Sequence, residues 1–175
     1  MGSKFTESTI RIPSATPGWE LEAWQFVPTD VPSSQLPVVI MAHGIGLPRS
    51  SSLRAPGEGF ASEGYGVVVF DFRSFGGSDG TPRNVLKIKD QQEDYKSVIT
   101  YARQCGLFNP KKVVLWGTSF SGGHVMCVAS EDHEVAGVIA QTPFSDGLTT
   151  VFGLSKIDIL RAVRTFLPTP LLPLC

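Results

Sequence analysis

Ser119 stands where an apolar run stops. In VVLWGTSFSGGHV, residues 113–125, the strand-like Val113 to Trp116 give way to the small residues Gly117, Ser119, Ser121, Gly122 and Gly123. A chain that leaves a strand and enters a helix within one residue strains that residue, and the positions two before and two after it must be small because strand and helix come close there. Gly117 and Ser121 meet that demand; serine, rather than glycine, fills the last small position. Such a turn lifts the serine hydroxyl above the strand ends. It also aims the N–H groups of the first helical turn at any negative charge that develops nearby. The chemistry that fits is nucleophilic attack by Ser119 on an acyl carbonyl.

An attacking serine needs donors for the oxyanion that forms in the transition state. One expected donor is the backbone N–H of Phe120. The other is expected from the loop after the first buried strand, where His43-Gly44-Ile45-Gly46 offers the N–H of Ile45. His43 and Gly44 are read as shaping that loop. The serine also needs a base, and the base an orienting acid. The three histidines are His43, His124 and His133. His124 lies five residues past Ser119 on the same helix and His133 in a polar turn, so neither is placed to serve as the base. Asp146 is a stand-in for the acid and Asp158 a weaker one.

"HGIG", "FDFRSFGGSDG" and "LWGTSFSGGHV", in that order, resemble the α/β-hydrolase superfamily. The nearest branch is the dienelactone-hydrolase-like and fungal polyketide thiohydrolase or transferase group, and the resemblance runs from Phe5 to roughly Val151. It implies a serine hydrolase or acyltransferase acting on esters, thioesters or related acyl compounds, with a place in secondary metabolism and no cofactor or metal. It implies that Arg73 and Asp79 tether a loop. It also implies an acid and then a histidine after the serine, and the late histidine is absent from this chain. The expectation is therefore a truncated core of doubtful turnover, residues 1–175 forming one incomplete domain and 152–175 a stub of a cap region or tail. The alternative is a catalytically silent fragment with a binding or scaffold role.

The elements that must position these residues read as α/β. "FTESTIRIP" and "WELEAWQFVP" flank Thr16-Pro17-Gly18 and predict an N-terminal hairpin. Leu36–Gly44, Gly66–Arg73, "KKVVLWGTS" and Glu134–Pro143 are apolar runs suited to strands buried on both faces. Between them, "RAPGEGFASEGYG" predicts a short helix. "IKDQQEDYKSVITYARQCG" predicts a longer one, with Tyr95, Val98, Ile99 and Ala102 on one face. "LSKIDILRAVRTFL" also has a helical pattern. Alternating β and α predicts a mostly parallel sheet with helices on both faces and chemistry at the strands' carboxyl ends.

Composition narrows the partners. The 175 residues carry 42% apolar and 18% charged side chains and a net charge of −1. That balance describes a globular chain and argues against nucleic acid or an anionic membrane as partner. Three scattered cysteines form neither a metal cluster nor a disulfide framework. "MGSKFTESTIRIP" has no apolar signal region, and no apolar run reaches the ~20 residues of a membrane span, so the expected location is cytoplasmic. Gly44-Ile45-Gly46 follows a strand, but Arg49 occupies the third glycine position of a dinucleotide fingerprint. "VAGVIAQTP", patterned as a central strand, is expected at an open sheet edge, where a homodimer could form. The expected ligand is a small acyl substrate.

Overall fold

The computed structural model describes residues 5–32 and 35–144. The chain divides into a compact unit Met1–Pro143 and a second unit Phe144–Cys175. Asp146, Asp158, the helical pattern after Gly153 and the 152–175 stub lie outside the described residues.

Among the described residues six strands form one sheet: β1 (Phe5–Pro13), β2 (Glu20–Pro28), β3 (Val38–Ala42), β4 (Gly66–Phe70), β5 (Val113–Thr118) and β6 (Gly137–Gln141). Their spatial order is β1-β2-β4-β3-β5-β6. The hairpin β1–β2 is antiparallel and joins the rest through an antiparallel β2–β4 pairing. The pairings β4–β3, β3–β5 and β5–β6 are parallel. The α-helices among the described residues are α1 (Arg54–Ser62), α2 (Ile88–Gln104) and α3 (Phe120–Glu131); a 3-10 turn, Arg49–Ser51, precedes α1. This is the mostly parallel α/β architecture the sequence pattern calls for.

Strand side chains alternate between two cores, as period-two geometry requires. Val38, Ile40, Ala42, Val68, Phe70, Val113 and Leu115 pack with Tyr95, Val98, Ile99 and Ala102 of α2 and with Val125 and Val128 of α3. Val39, Met41, Val67, Val69 and Trp116 face the other way, where Ala61 of α1 and Leu53 cover them. Both faces of β3 and β4 are thus dry, which is why their sequences read as unbroken apolar runs. β6 differs: Val138 and Ile139 are each 40% exposed, and among the described strands it pairs only with β5.

Strand order, not strand identity, creates the crevice. From β3 the chain crosses to β4 on one side and then passes over β3 to β5 on the other. Open α/β sheets bind ligands outside the carboxyl ends of strands at such a reversal. Here that is the gap between the ends of β3 and β5, held in register by the pairs Met41 with Trp116 and Ala42 with Gly117. Among the described residues no helix is long and apolar enough to cross a membrane.

Candidate functional site

The β3–β5 register brings the two suspect loops together. Two residues past Ala42 stands Gly44, and two past Gly117 stands Ser119. A Cβ added to Gly44 would lie 3.3 Å from the Ser119 Cβ and 3.3 Å from the Thr118 carbonyl. Gly44 therefore lets the loop after β3 close on the serine.

Ser119 is the single residue between β5 and α3. Its backbone has φ 53° and ψ −115°, a region an L-residue occupies only under strain. Ser119 is exposed, and its backbone N–H donates to the Gln141 carbonyl at 2.9 Å, which fixes the turn against β6. Among the described residues no side chain hydrogen-bonds the Ser119 hydroxyl. Gly117 is indispensable for a plain reason: a Cβ there would sit 2.3 Å from the Ser121 carbonyl oxygen and 2.5 Å from its carbon. Strand and helix backbones already touch.

Ser121 does more than stay small. Its buried hydroxyl accepts from the Thr118 N–H at 2.9 Å and lies 2.9 Å from the Ala42 carbonyl and 3.0 Å from that of Thr118, either of which can take its proton. It pins the end of β5 to the end of β3. The serine in place of a last glycine is the one sequence signal for this stitch. Tyr95 of α2 adds a second tie, donating to the Trp116 carbonyl at 2.9 Å from a fully buried position. Burial raises its phenol well above the usual range.

His43 is buried, and its Nδ1 donates to the Gly44 carbonyl at 2.8 Å. That bond bends the loop at the point nearest Ser119. Rings of Phe72 and Phe75 meet the imidazole edge-on at 5.0 and 5.7 Å. Its Nε2 has no hydrogen-bond partner and lies 3.8 Å from Asp71 Oδ1. Desolvation lowers its pKa, so the ring is neutral near pH 7. Ile45 and Leu47, next along the loop, are 55% and 56% exposed.

His124 is bonded to α2 rather than to Ser119. Its Nε2 lies 2.8 Å from Gln91 Oε1, and its ring packs edge-on against Phe120 and Phe72. Desolvation lowers its pKa to about 4. His133 is exposed beyond the far end of α3, roughly 18 Å along the helix from Ser119. Among the described residues no histidine hydrogen-bonds Ser119.

Arg73 and Asp79 hold the loop after β4. Arg73 donates its Nε and backbone N–H to Asp94 at 2.8 and 2.9 Å, and Nη1 to Thr16 at 2.8 Å. Burial raises the Asp94 carboxyl to about 6 despite the opposing pull of Arg73. Asp79 accepts from the Glu20 N–H at 2.9 Å and ties the loop to β2. The cluster of buried Arg49 and Asp71 with half-buried Glu22, at the exit of the loop carrying Ile45, escaped the sequence reading. Among the described residues no group of three His, Cys, Asp or Glu side chains is placed to hold a metal ion.

A parallel sheet flanked by an antiparallel hairpin, helices on both faces and a strained serine between strand and helix define an α/β-hydrolase fold. Residues 18–153 match the family model of X-Pro dipeptidyl-peptidase (S15 family), and the chain belongs to that family. It is 47% identical over 125 residues to the quorum-quenching protein AidA of Acinetobacter baumannii, covering 71% of this chain and 41% of AidA. It is 33% identical over 130 residues to the polyketide transferase grgF of a Penicillium species, covering 74% and 42% of the two chains. The crystal structure of the α/β hydrolase GrgF from Penicillium sp. sh18 superposes with a TM-score of 0.71 at 27% identity, over 91% of this chain and 55% of that one. The chain thus spans about two fifths of the length of these curated relatives.

Proposed function

We propose that the chain carries the nucleophile half of a serine hydrolase or acyltransferase site for ester, thioester or related acyl substrates. Ser119 attacks the acyl carbonyl, and the backbone N–H groups of Phe120 and Ile45 hold the developing oxyanion. The observation that carries this reading is the strained, exposed Ser119 between β5 and α3, with Gly44 packed against it. Relatives named as a polyketide transferase, a thiohydrolase and an acyltransferase support the acyl substrate class, and the fungal names support a role in secondary metabolism. Asp146 is retained as the proposed acid.

Proton transfer is the weak step. With His43 and His124 engaged elsewhere and His133 at the far end of α3, the hydroxyl lacks a base among the described residues. Loss of the triad histidine costs on the order of 10⁶ in turnover, while oxyanion stabilisation and binding alone leave roughly 10³–10⁴ over water. The same observation favours a second reading, a catalytically silent domain that binds acyl compounds or a protein partner.

Labelling with a fluorophosphonate probe, located by peptide mass spectrometry, separates the two. A modified Ser119 that disappears in Ser119→Ala supports the nucleophile. Folded protein that neither labels nor hydrolyses p-nitrophenyl acetate above a Ser119→Ala background supports the silent reading.

A further inference from the structure

We propose that Arg49 and Asp71 are positioning residues that clamp the Gly44–Pro48 loop against Ser119. The middle of this loop has little to hold it, since Ile45 and Leu47 are both more than half exposed. Its two ends are anchored in the interior instead. At the first, His43 is buried and bonded to the Gly44 carbonyl. At the second, Arg49 is buried and reaches two acids on two other elements.

The Arg49 backbone N–H donates to Asp71 Oδ1 at 2.7 Å, and its Nη1 donates to Asp71 Oδ2. Its Nη2 donates to Glu22 Oε1 at 2.5 Å, and Nη1 reaches the Glu22 carbonyl at 3.3 Å. Asp71 also accepts from the Gly77 N–H at 3.1 Å, so the same carboxylate fixes the loop after β4. The guanidinium carbon lies 4.8 Å from the centre of the Trp24 ring on β2, which closes the far side. One side chain therefore ties the exit of the Ile45 loop to β2 and to the end of β4. Lysine, with a single point charge, cannot bridge both acids with this geometry.

This inference takes its chemical meaning from the nucleophile reading of Ser119: a donor displaced by about 1 Å costs on the order of 10²-fold in rate. The clamp itself is testable without activity. Amide ¹⁵N relaxation of Ile45 and Gly46 is compared in the wild type, Arg49→Met, Arg49→Lys and Asp71→Asn. Arg103→Met, which removes the ion pair to Asp132 between α2 and the end of α3, serves as the control. The expected result is an order parameter near 0.85 in the wild type and the control, below about 0.6 in Arg49→Met, and intermediate in Arg49→Lys. An unchanged Ile45 amide in folded Arg49→Met overturns the proposal, and so does an equal loss in Arg103→Met. If Arg49→Met does not fold, Arg49→Lys and Asp71→Asn decide on the same criterion. Fluorophosphonate labelling adds a second arm, at least tenfold slower in the clamp variants and unchanged in Arg103→Met. A wild type that fails to label counts against the nucleophile reading and leaves the relaxation arm to judge the clamp.

Discussion

Gly117→Ala tests whether the turn at Ser119 depends on backbone contact between strand and helix. The added methyl would lie 2.3 Å from the Ser121 oxygen, 2.5 Å from its carbonyl carbon and 2.9 Å from the Gly122 nitrogen. Comfortable separation for such atoms is about 3.5 Å, so β5 and α3 must part by roughly 1 Å. All three obstacles are main chain and cannot swing aside as a flexible side chain can. That parting would break the Thr118 to Ser121 hydrogen bond and weaken the Ser121 stitch to Ala42. Overpacking of this kind costs about 1–3 kcal/mol, and a lost buried hydrogen bond adds about 1–3. The sum, about 2–6 kcal/mol, is a large part of the roughly 5–15 kcal/mol that holds a domain together. Gly137→Ala is the matched control: its methyl meets only a Val114 Cγ2, at 3.9 Å, and the change should be neutral or stabilise by about 0.5 kcal/mol. Urea denaturation of both variants measures the difference. Equal midpoints for Gly117→Ala and Gly137→Ala would refute the claim that steric contact dictates this turn.

Further outcomes follow from the same contacts. Ser121→Ala should lose about 1–3 kcal/mol by urea denaturation, because the Thr118 N–H loses its acceptor and one carbonyl, of Ala42 or Thr118, loses the hydroxyl proton. His124 has its pKa lowered from 6.5 to about 4, so the unfolded chain binds its proton more readily. Its contribution is present above pH 6.5 and is lost as pH falls toward 4, by at most about 3 kcal/mol. Asp94, raised to about 6, acts with the opposite sign: the folded state binds its proton more readily, and stability gains as pH falls from 6 toward 3.8. The His124 part is therefore read as the difference in pH slope between the wild type and His124→Leu, and identical slopes would contradict it. At the side of β6 that no described strand covers, where Val138 and Ile139 are exposed, a second copy is proposed to pair. Light scattering should then give a mass that rises with concentration and falls toward the monomer in Val138→Lys; a monomer at every concentration removes the proposal.

Much of this fold was legible because its signals are local. Apolar runs named β3, β4 and β5, the turn at Thr16-Pro17-Gly18 named the hairpin, and one apolar stripe named α2. The turn at Ser119 was legible too, since small residues two positions either side of it answer a contact the backbone makes with itself. The buried polar partners were hidden. Gln91 and Asp94 share the buried face of α2 with Tyr95 and Val98, yet nothing in a helical period says that a polar residue there will meet His124 or Arg73.

By itself the sequence determined which segments become strand or helix and where the chain must bend sharply, because dihedral preference, side-chain size and period act over a few residues. Only the tertiary structure decided that Gly44 lies on Ser119, that Ser121 reaches Ala42 across 79 positions, and that Arg49 joins Asp71 and Glu22. Those pairings depend on the strand order β4-β3-β5 and on register, which follow from how all the apolar faces are buried together and leave no mark at any single position.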